Sequence, residues 1–536
     1  MIDLATAYEV RDVLDGKVID SIIDEFGNIW YEAFRILPAS GVPPITLQKC
    51  KGVDDGKYLL DYKVYGNSVQ NGTPTPETPI EVESVGEKTT NLINWDLLLG
   101  DITYPITKVD NGYYSTKYFN AFGKSSNLIK HIMSVLKPNI TYTLSRRYNG
   151  TRDGANGTIY IQNSASENII HCKYGEGLVK TTFTLTQEQI DSIDHLYIYF
   201  HNNGGTISEL QLTESDTVLP YEPYGYKIPI KVRGKNLFNP NKLTGGDLVK
   251  YNGVQCYSYK DTNNNVGSGN FSYEDEFKEN TRYTFTTKIY FEDTSKNTSL
   301  EFLYTDGTKS TVAISKPGTI YKFTTTSGKT LKQIRGAYMW GIMRYIDLTV
   351  TQLEEGTTAT DYEPYYEPVT TNIYLNEPLR KVGDKSDYID FESGKVIRRI
   401  KEIKLTNVNY KYTWLGKNGV SISNVLDGIY DRPKGLCNRE TRFTANGGEK
   451  TSIWLGVNTT HLYWIGILDY LGFTTLEEMN EWLANNPTYI YYGSNKTSEE
   501  TIELPNIPTH KGTTIIEVDT NILPSNMEVE YYGKEW

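Results

Sequence analysis

Four short motifs occur twice in this chain, in the same order, and this repetition limits its fold more than any other feature. Three of the pairs share a separation of 141 residues: 139–144 recurs as 280–285, 211–214 as 352–355, and 221–224 as 362–365. A fourth pair, aligned on Asn91 and Asn236, is separated by 145 residues. Ordered matches at one separation indicate duplication of a structural unit. The motifs therefore delimit two modules, residues 86–230 and 231–370.

The composition and local patterning favour β-structure within each module. The chain of 536 residues contains 43 tyrosines, 45 glycines and 21 prolines, and tyrosine fits a pleated, half-buried surface. Short segments such as 141–144 and 283–286 alternate with period two between turn-rich stretches. We predict a mostly β, multidomain protein with tandem β-sandwich (jelly-roll) modules, and one short helix near 186–193.

The segments outside the modules have different patterns. Residues 1–65 contain a predicted hairpin at 18–32 and are expected to form an N-terminal attachment region. Residues 66–85, with Pro74, Pro76 and Pro79, read as an extended linker. Residues 371–536 are predicted to be an α+β domain, since Thr475-x-x-Glu478 is a capping box and opens an amphipathic helix over 476–485.

Charge and targeting signals exclude several classes of partner. The net charge is -12, so we expect no nucleic-acid binding and no electrostatic adhesion to anionic lipid. No run of about 18 apolar residues occurs, so no membrane insertion is expected. The N-terminus lacks the features of a signal peptide, which predicts synthesis in a cytoplasm. The four cysteines are too scattered for a disulfide framework.

Catalytic and metal-binding patterns are absent from the sequence. It contains no HExxH, CxxC, P-loop or GxSxG motif. His171 beside Cys172 is the one hint of a metal site. Glu354-Glu355 and the acidic run 274–276 are carboxylates of the type that a glycosidase needs, but carboxylates are common. We expect no enzyme activity, no cofactor and no metal.

Paired aromatic residues give the clearest binding signal. At the separation of 141, residues 195–200 align with 336–341. In this alignment Tyr197 matches Tyr338, and Tyr199 matches Trp340. Because alternate side chains of a strand share a face, Leu196, Ile198 and Phe200 would face the core and the aromatics the other side. Sugar rings pack their C–H faces on such rings. The aromatic pairs are therefore candidate glycan platforms, with a domain contact or ordinary core as the alternatives.

Two neighbouring arginines form a second candidate site. Arg146 and Arg147 lie beside Tyr148, with Arg152 close by, on a segment predicted to be a loop. Guanidinium groups grip phosphate bidentately, so this cluster is a candidate contact for a teichoic-acid phosphate. A solvated loop is the alternative.

Several segments resemble tail and baseplate-associated proteins from phages of Gram-positive bacteria. The resemblance is carried by residues 61–70, by the module boundaries at 234–238, 352–356 and 362–365, and by 387–396 and 482–487. It implies carbohydrate-binding jelly rolls, a location in the tail or baseplate of a virion, contacts with other virion proteins, and a homo-oligomer, for which a trimer is the guess.

The leading functional hypothesis is therefore adhesion to a saccharide of the host cell wall. Two weak modules on one chain would gain avidity through effective concentration. A purely structural role in a baseplate, collar or fibre is the main alternative, and a wall-glycan hydrolase is the third.

Overall fold

The structure is a computed structural model of the chain. It describes residues 19–23, 29–32, 34–36, 45–48, 59–99, 106–115, 119–150, 157–200, 205–260, 271–295, 298–337, 342–391, 393–405, 411–414, 419–423, 435–440, 443–444, 454–457, 461–465, 471–505, 513–518 and 526–532.

The first module is a sandwich of two antiparallel sheets. One sheet has the strand order β15 (Gly177–Thr184), β12 (Thr141–Gly150), β17 (Gly205–Thr213), β10 (Gly112–Ser115) and β9 (Thr107–Val109). The facing sheet has the order β11 (Phe119–Gly123), β16 (Ile193–Tyr199), β13 (Ile159–Asn163) and β14 (Asn168–Cys172). Alternate residues of each strand, such as Tyr142, Leu144 and Ile159, meet in a common buried core between the sheets.

The second module repeats this arrangement strand for strand. One sheet has the order β26 (Ile320–Thr324), β23 (Tyr283–Tyr290), β28 (Arg344–Asp347), β21 (Val254–Tyr259) and β20 (Gly246–Tyr251), and β29 (Gln352–Glu355) also pairs with β23. The other has β22 (Ser272–Glu274), β27 (Leu331–Ala337), β24 (Thr298–Tyr304) and β25 (Lys309–Ile314), with β19 (Leu243–Thr244) added beside β22. The shared order confirms the predicted tandem β-sandwich.

One buried asparagine closes the first module where the chain enters and leaves it. The amide of Asn91 donates to the carbonyl oxygens of Leu210 and Glu222, each at 3.2 Å. Its Oδ1 accepts from the backbone N–H groups of Ile93 at 3.3 Å and Leu212 at 3.2 Å. All four hydrogen-bonding capacities of the side chain are therefore used to hold three distant segments together.

Asn236 makes the same four contacts in the second module. Its amide donates to Thr351 O at 3.2 Å and Glu363 O at 2.9 Å, and its Oδ1 accepts from Phe238 N at 2.9 Å and Leu353 N at 3.1 Å. Three of the four repeated motifs thus meet at one place in each copy, and we infer that these three recur because they close the module. We call Asn91 and Asn236 the two latch asparagines.

The strands that leave the two modules pair with each other. β18 (Tyr226–Gly234) and β30 (Val369–Leu375) are antiparallel from Tyr226↔Leu375 to Val232↔Val369. The same sheet continues through β42 (Thr513–Val518), β4 (Ile45–Gln48) and β3 (Phe34–Ile36), and β8 (Glu87–Lys88) pairs with one end of β18. The boundary predicted at 230/231 therefore falls inside an ordered strand.

The C-terminal region contains two further sheets and a helix, which confirms its α+β character. One sheet has the order β37 (Gly435–Cys437), β41 (Thr488–Thr501), β34 (Lys395–Leu405), β33 (Tyr388–Asp390), β5 (Leu59–Tyr65) and β43 (Asn526–Tyr532). The other has β35 (Lys411–Trp414), β36 (Gly419–Ser423), β40 (His461–Ile465), β39 (Trp454–Val457) and β38 (Phe443–Thr444). Because β5 lies between β33 and β43, the predicted separation of residues 1–65 from the C-terminal domain is wrong at its last strand.

Residues 66–85 fold back on themselves, so the prediction of an extended linker is wrong. β6 (Ser68–Gln70) pairs with β7 (Val82–Ser84), and the loop between them buries Pro74 and Pro76. Ile80 N donates to Asn438 O at 2.7 Å. Arg439 also donates to the carbonyl oxygen of Pro76, so the loop contacts the C-terminal domain, whereas Pro79 is exposed. The predicted N-terminal hairpin is present as β1 (Ile19–Ile23) and β2 (Ile29–Glu32). A second small hairpin, in the C-terminal region, joins β31 (Lys381–Val382) to β32 (Lys385–Ser386).

Three helices are described, and two were predicted. α2 (Gln187–Asp191) begins at the capping box of Thr186, and α3 (Leu476–Asn485) at that of Thr475, as the sequence indicated. α1 (Asn127–Val135), which covers one end of the first core, was not predicted. Short 3-10 turns occur at Trp95–Leu99 and Pro240–Lys242. Among the residues described, none of the helices has the length and apolar character needed to cross a membrane.

Candidate functional site

The outer face of β16 carries the aromatic residues that the sequence singled out. Leu196, Ile198 and Phe200 are almost completely buried in the core, as predicted. Tyr197 and Tyr199 alternate with them and are partly exposed on the opposite side of the sheet. The predicted orientation of this strand is therefore correct.

Neighbouring strands extend these two tyrosines into a row of aromatic rings. Tyr160 of β13 pairs with Tyr197 of β16 on one side and with His171 of β14 on the other. Its ring stacks on His171 at 4.5 Å and 19°, and meets Tyr199 edge-on at 5.5 Å and 80°. His195 stacks on Tyr197 at 5.9 Å and 18°. We call these five residues, all partly exposed, the aromatic face of module 1.

Polar groups border the aromatic face. Gln162 Nε2 donates to Asn168 Oδ1 at 2.8 Å, next to His195 in the strand register. His195 Nδ1 lies 2.7 Å from Asp194 Oδ2. Burial, and then the charge of Lys173, lower the pKa of His171, so its imidazole is neutral at pH 7 and stacks without a charge. Flat rings flanked by amide and imidazole groups form a surface suited to a ligand with both C–H faces and hydroxyls.

Three residues of this face, Tyr160, His171 and His195, were not predicted from the sequence. Tyr160 lies between Ile159 and Ile161, and this alternation was a usable signal. His171 was weighed only with Cys172 as a metal pair. The strand turns the two to opposite sides, because Cys172 is completely buried in the core whereas His171 faces outward. Among the described residues no cluster of three or more potential metal ligands occurs.

The strand registers contradict the alignment that paired Tyr197 and Tyr199 with Tyr338 and Trp340. In module 1, Ile161 pairs with Leu196, and in module 2 its counterpart Phe302 pairs with Ile334. Leu196 and Ile334 are 138 residues apart, so module 2 is shorter here by three residues than the repeated motifs implied.

The counterparts of the two tyrosines follow from this register. Tyr197 corresponds to Arg335, and Tyr199 to the buried Ala337. Tyr338 and Trp340, the residues predicted for this role, lie outside the described residues.

In module 2 the equivalent face is charged. Glu301 lies at the position of Tyr160, and both of its oxygens are engaged. Arg335 donates to Oε2 through Nε at 2.9 Å and Nη2 at 2.7 Å, and Lys309 Nζ lies 2.5 Å from Oε1. Burial alone would raise the pKa of Glu301, but the hydrogen bonds from Lys309 and Arg335 lower it. The duplicated modules have therefore diverged on this face.

Module 2 has an aromatic cluster on its other sheet. Tyr251 and Tyr345 stack at 3.9 Å and 11°, and Tyr290 lies 5.7 Å from Tyr251. Lys288 Nζ is 5.0 Å from the Tyr290 ring and 3.5 Å from Asp347 Oδ2. All three rings are partly exposed. We call these three tyrosines the tyrosine cluster of module 2.

Module 1 lacks the counterpart of this cluster at two positions. Tyr290 pairs with Tyr345 between β23 and β28, and the matching pair between β12 and β17 is Asn149 with Thr206. The aromatic face of module 1 and the tyrosine cluster of module 2 thus lie on different sheets of the same sandwich.

The two neighbouring arginines lie on opposite faces of a strand, so they do not form one site. Arg146 belongs to β12 and not to a loop, and it is completely buried. Its Nη1 and Nη2 donate to the carbonyl oxygens of Gly175 at 2.9 Å and Lys173 at 2.8 Å. Arg147 faces outward and pairs with Glu209 at 3.0 Å. The prediction for Arg146 is therefore wrong, because strand pairing turns its side chain into the module; Arg152 lies outside the described residues.

The candidate carboxylates have structural partners. Glu354 is buried and accepts hydrogen bonds from Gln352 Nε2 at 2.9 Å and from Thr360 N at 3.0 Å. Glu355 Oε1 lies 3.2 Å from Arg233 and 3.0 Å from Lys278. These contacts support a role for both glutamates in holding the module end in place.

Comparisons with known proteins give distant structural similarity only. No family model and no curated protein sequence matches the chain. The N-terminal CBM22-1–CBM22-2 tandem domain of Paenibacillus barcinonensis Xyn10C is similar at 8% identity and a TM-score of 0.22, over 54% of this chain and 98% of that one. The M60 catalytic domain with CBM51-1 and CBM51-2 of Clostridium perfringens ZmpB gives 7% identity, a TM-score of 0.16, and coverage of 63% and 48%. The VP2 subviral particle of infectious bursal disease virus is similar at 9% identity and a TM-score of 0.13, over 90% of this chain and 84% of that one.

Proposed function

We propose that this chain is a non-catalytic binding protein whose first module holds a saccharide on its aromatic face. The observation that carries the proposal is the continuous row of His171, Tyr160, Tyr197 and Tyr199 across three strands, with ring contacts of 4.5 and 5.5 Å. Rigid strands fix the rings, so little conformational entropy is lost when a sugar packs on them. The bordering amide of Gln162 can hydrogen-bond ring hydroxyls.

The tyrosine cluster of module 2 is a second contact of the same kind. Its three rings stand beside Lys288, whose ammonium group offers a donor at the edge of the stacked rings. Two sites on one chain raise overall affinity through effective concentration without any new contact.

The wider role that fits these properties is adhesion of a phage particle to the host cell wall. This part of the proposal is supported by the resemblance of residues 61–70, the module boundaries and 387–396 to tail and baseplate-associated proteins. In that setting the chain sits in a virion, contacts other virion proteins, and forms a homo-oligomer. Each additional copy multiplies the avidity.

Binding of purified host cell-wall polysaccharide by the full chain tests the proposal. We expect the double variant Tyr160→Ala/Tyr197→Ala to lose at least tenfold in affinity, because each truncation removes an aromatic contact worth about 0.5–1.5 kcal/mol beyond its buried area. Tyr174→Ala is the matched control, since Tyr174 belongs to the same module, is 63% exposed and is not one of the five residues of the aromatic face. Equal affinity of the folded double variant and the control would refute the assignment.

A structural role without saccharide binding is the second candidate. The observation that favours it is the pairing of β18 with β30, which ties the two modules to one sheet in the manner of a spacer. This role predicts that the chain binds another virion protein tightly and binds wall polysaccharide not at all.

A further inference from the structure

A small pocket lies on module 1, apart from the aromatic face. It is formed by the segment that follows the latch residue Asn91, by the hairpin turn between β9 and β10, and by the Tyr-Glu-Pro-Tyr motif at the module end. Its volume is about 120 Å³, the space of about four water molecules at ~30 Å³ each. Such a volume admits one pendant chemical group of a ligand and not a whole sugar ring.

An indole N–H is the distinctive polar group of this pocket. Trp95 lines the pocket and is 96% buried, since its exposed fraction is 4%. Its Nε1–H has no hydrogen-bond acceptor among the described residues. A buried donor without an acceptor costs about 1–3 kcal/mol, so an arrangement that retains one needs an explanation. A ligand that brings an acceptor to this atom provides it.

The pocket also offers a fixed acceptor. Asp96 Oδ1 accepts from Tyr113 Oη at 2.6 Å, and Oδ2 lies 2.5 Å from Lys108 Nζ. The phenol and the ammonium orient the carboxylate, and the Asp96 side chain, which lines the pocket, remains 41% exposed. An ionised carboxylate has more than two lone-pair sites, so it can accept a further N–H.

Apolar and aromatic surface completes the lining. Ile93 is completely buried beneath the pocket, and Tyr221 and the rim residue Tyr224 flank it. The ring of His131 packs edge-on against the ring of Tyr224, with 5.4 Å between the ring centroids. A donor, an acceptor and a small apolar wall within so little space match a planar amide that ends in a methyl group.

We propose that this pocket recognises the acetamido group of an N-acetylated amino sugar. The amide oxygen accepts from Trp95 Nε1–H, the amide N–H donates to Asp96, and the methyl group packs against Tyr221 and Tyr224. The inference deepens the proposed function, on which it rests for the class of ligand, by naming which sugar the first module selects. It places that selection outside the aromatic face, which any sugar ring can contact.

The module 2 counterpart of this pocket has a different chemistry. The position that matches Trp95, counted from the latch asparagines, is Pro240, which has no side-chain donor. The selectivity therefore belongs to module 1 alone, and the second module serves as an internal comparison.

The test compares chitotetraose, which carries acetamido groups, with cellotetraose, which lacks them, by calorimetric titration of the full chain. We expect a preference for chitotetraose of about tenfold or more. Trp95→Phe removes the N–H and keeps a ring, and we expect it to abolish the preference. Asp96→Asn removes the negative charge of the exposed Asp96–Lys108 pair and should reduce the preference for chitotetraose. If Trp95→Phe does not fold, the result for Asp96→Asn tests the assignment.

The double variant Tyr160→Ala/Tyr197→Ala separates the two proposals. It should weaken both oligosaccharides equally and leave the preference intact. The pocket assignment is overturned by equal binding of the two oligosaccharides to the unaltered chain, by binding of neither, or by a preference that survives in folded Trp95→Phe. If the preference is lost in the tyrosine double variant but kept in Trp95→Phe, the aromatic face reads the acetamido group, and only the pocket assignment fails.

Discussion

Replacing the latch residue Asn236 by alanine should open the second module locally. The side chain is 3% exposed and makes four hydrogen bonds of 2.9–3.2 Å to backbone groups of three separate segments. At about 0.5–1.5 kcal/mol net for each bond, with partial compensation by water, we expect a loss of about 2–4 kcal/mol in the free energy of opening. Hydrogen–deuterium exchange of the Leu353 and Phe238 amides would then accelerate on the order of 10²-fold.

The exchange experiment has internal controls. Asn91→Ala should cause the same acceleration in module 1 and leave module 2 unchanged, because the two networks have the same geometry. Asn71→Ala removes one exposed hydrogen bond to Glu83 and should change stability by less than about 0.5 kcal/mol. An effect of Asn236→Ala no larger than that of Asn71→Ala would refute the view that the repeated motifs recur in order to close the modules.

Two further predictions concern the C-terminal region. Burial alone would raise the pKa of Glu517, but Arg233 and Lys278, at 2.9 Å each, lower it to about 2. A depressed carboxyl pKa stabilises the fold above the unfolded value near 4.5, so about 3 kcal/mol should be lost as the pH falls from 4.5 toward 2, and acid denaturation of Glu517→Gln should lack this component. Thr475→Ala removes one half of a capping box with Glu478 and should cost the helix about 1 kcal/mol, measured by amide exchange in residues 476–485; no change there would contradict the capping assignment.

Features that depend on local chemistry were predicted correctly from the sequence. Period-two alternation placed Leu196 and Ile198 in the core and Tyr197 outside it, because strand geometry alone fixes the side on which a residue lies. The capping boxes at Thr186 and Thr475 were read directly, since all of their partners lie within four residues.

Features that depend on pairing between distant parts of the chain were not predicted correctly from the sequence. The separation of 141 residues holds for three of the four motif pairs but becomes 138 at Ile334, and the pairing of Phe302 with Ile334 reveals the three missing residues. Arg146 was expected in a loop, whereas pairing with β15 and β17 extends the strand through it. The position of β5 beside β33 joins residues more than 320 apart in the sequence, such as Tyr65 and Tyr388.

In the candidate site, too, the residues of one strand were predicted, and the residues that depend on pairing between strands were not. Tyr197 and Tyr199 were identified from one strand, but a surface is made by several, and the partners Tyr160 and His171 became evident only from the register of β13 with β16 and β14. The divergence of the two modules could not be read from the motifs, because three of the four lie at the closure of each sandwich and none includes the residues of the aromatic face or of the tyrosine cluster.

Side-chain footprinting with hydroxyl radicals tests the central claim most directly. The full chain is labelled with and without saturating host-wall polysaccharide, and oxidation is mapped residue by residue. Binding on the aromatic face predicts protection of Tyr160, Tyr197, Tyr199 and His171, with Tyr174 labelled equally in both states. Saturable binding that leaves those four residues as reactive as before would contradict the account.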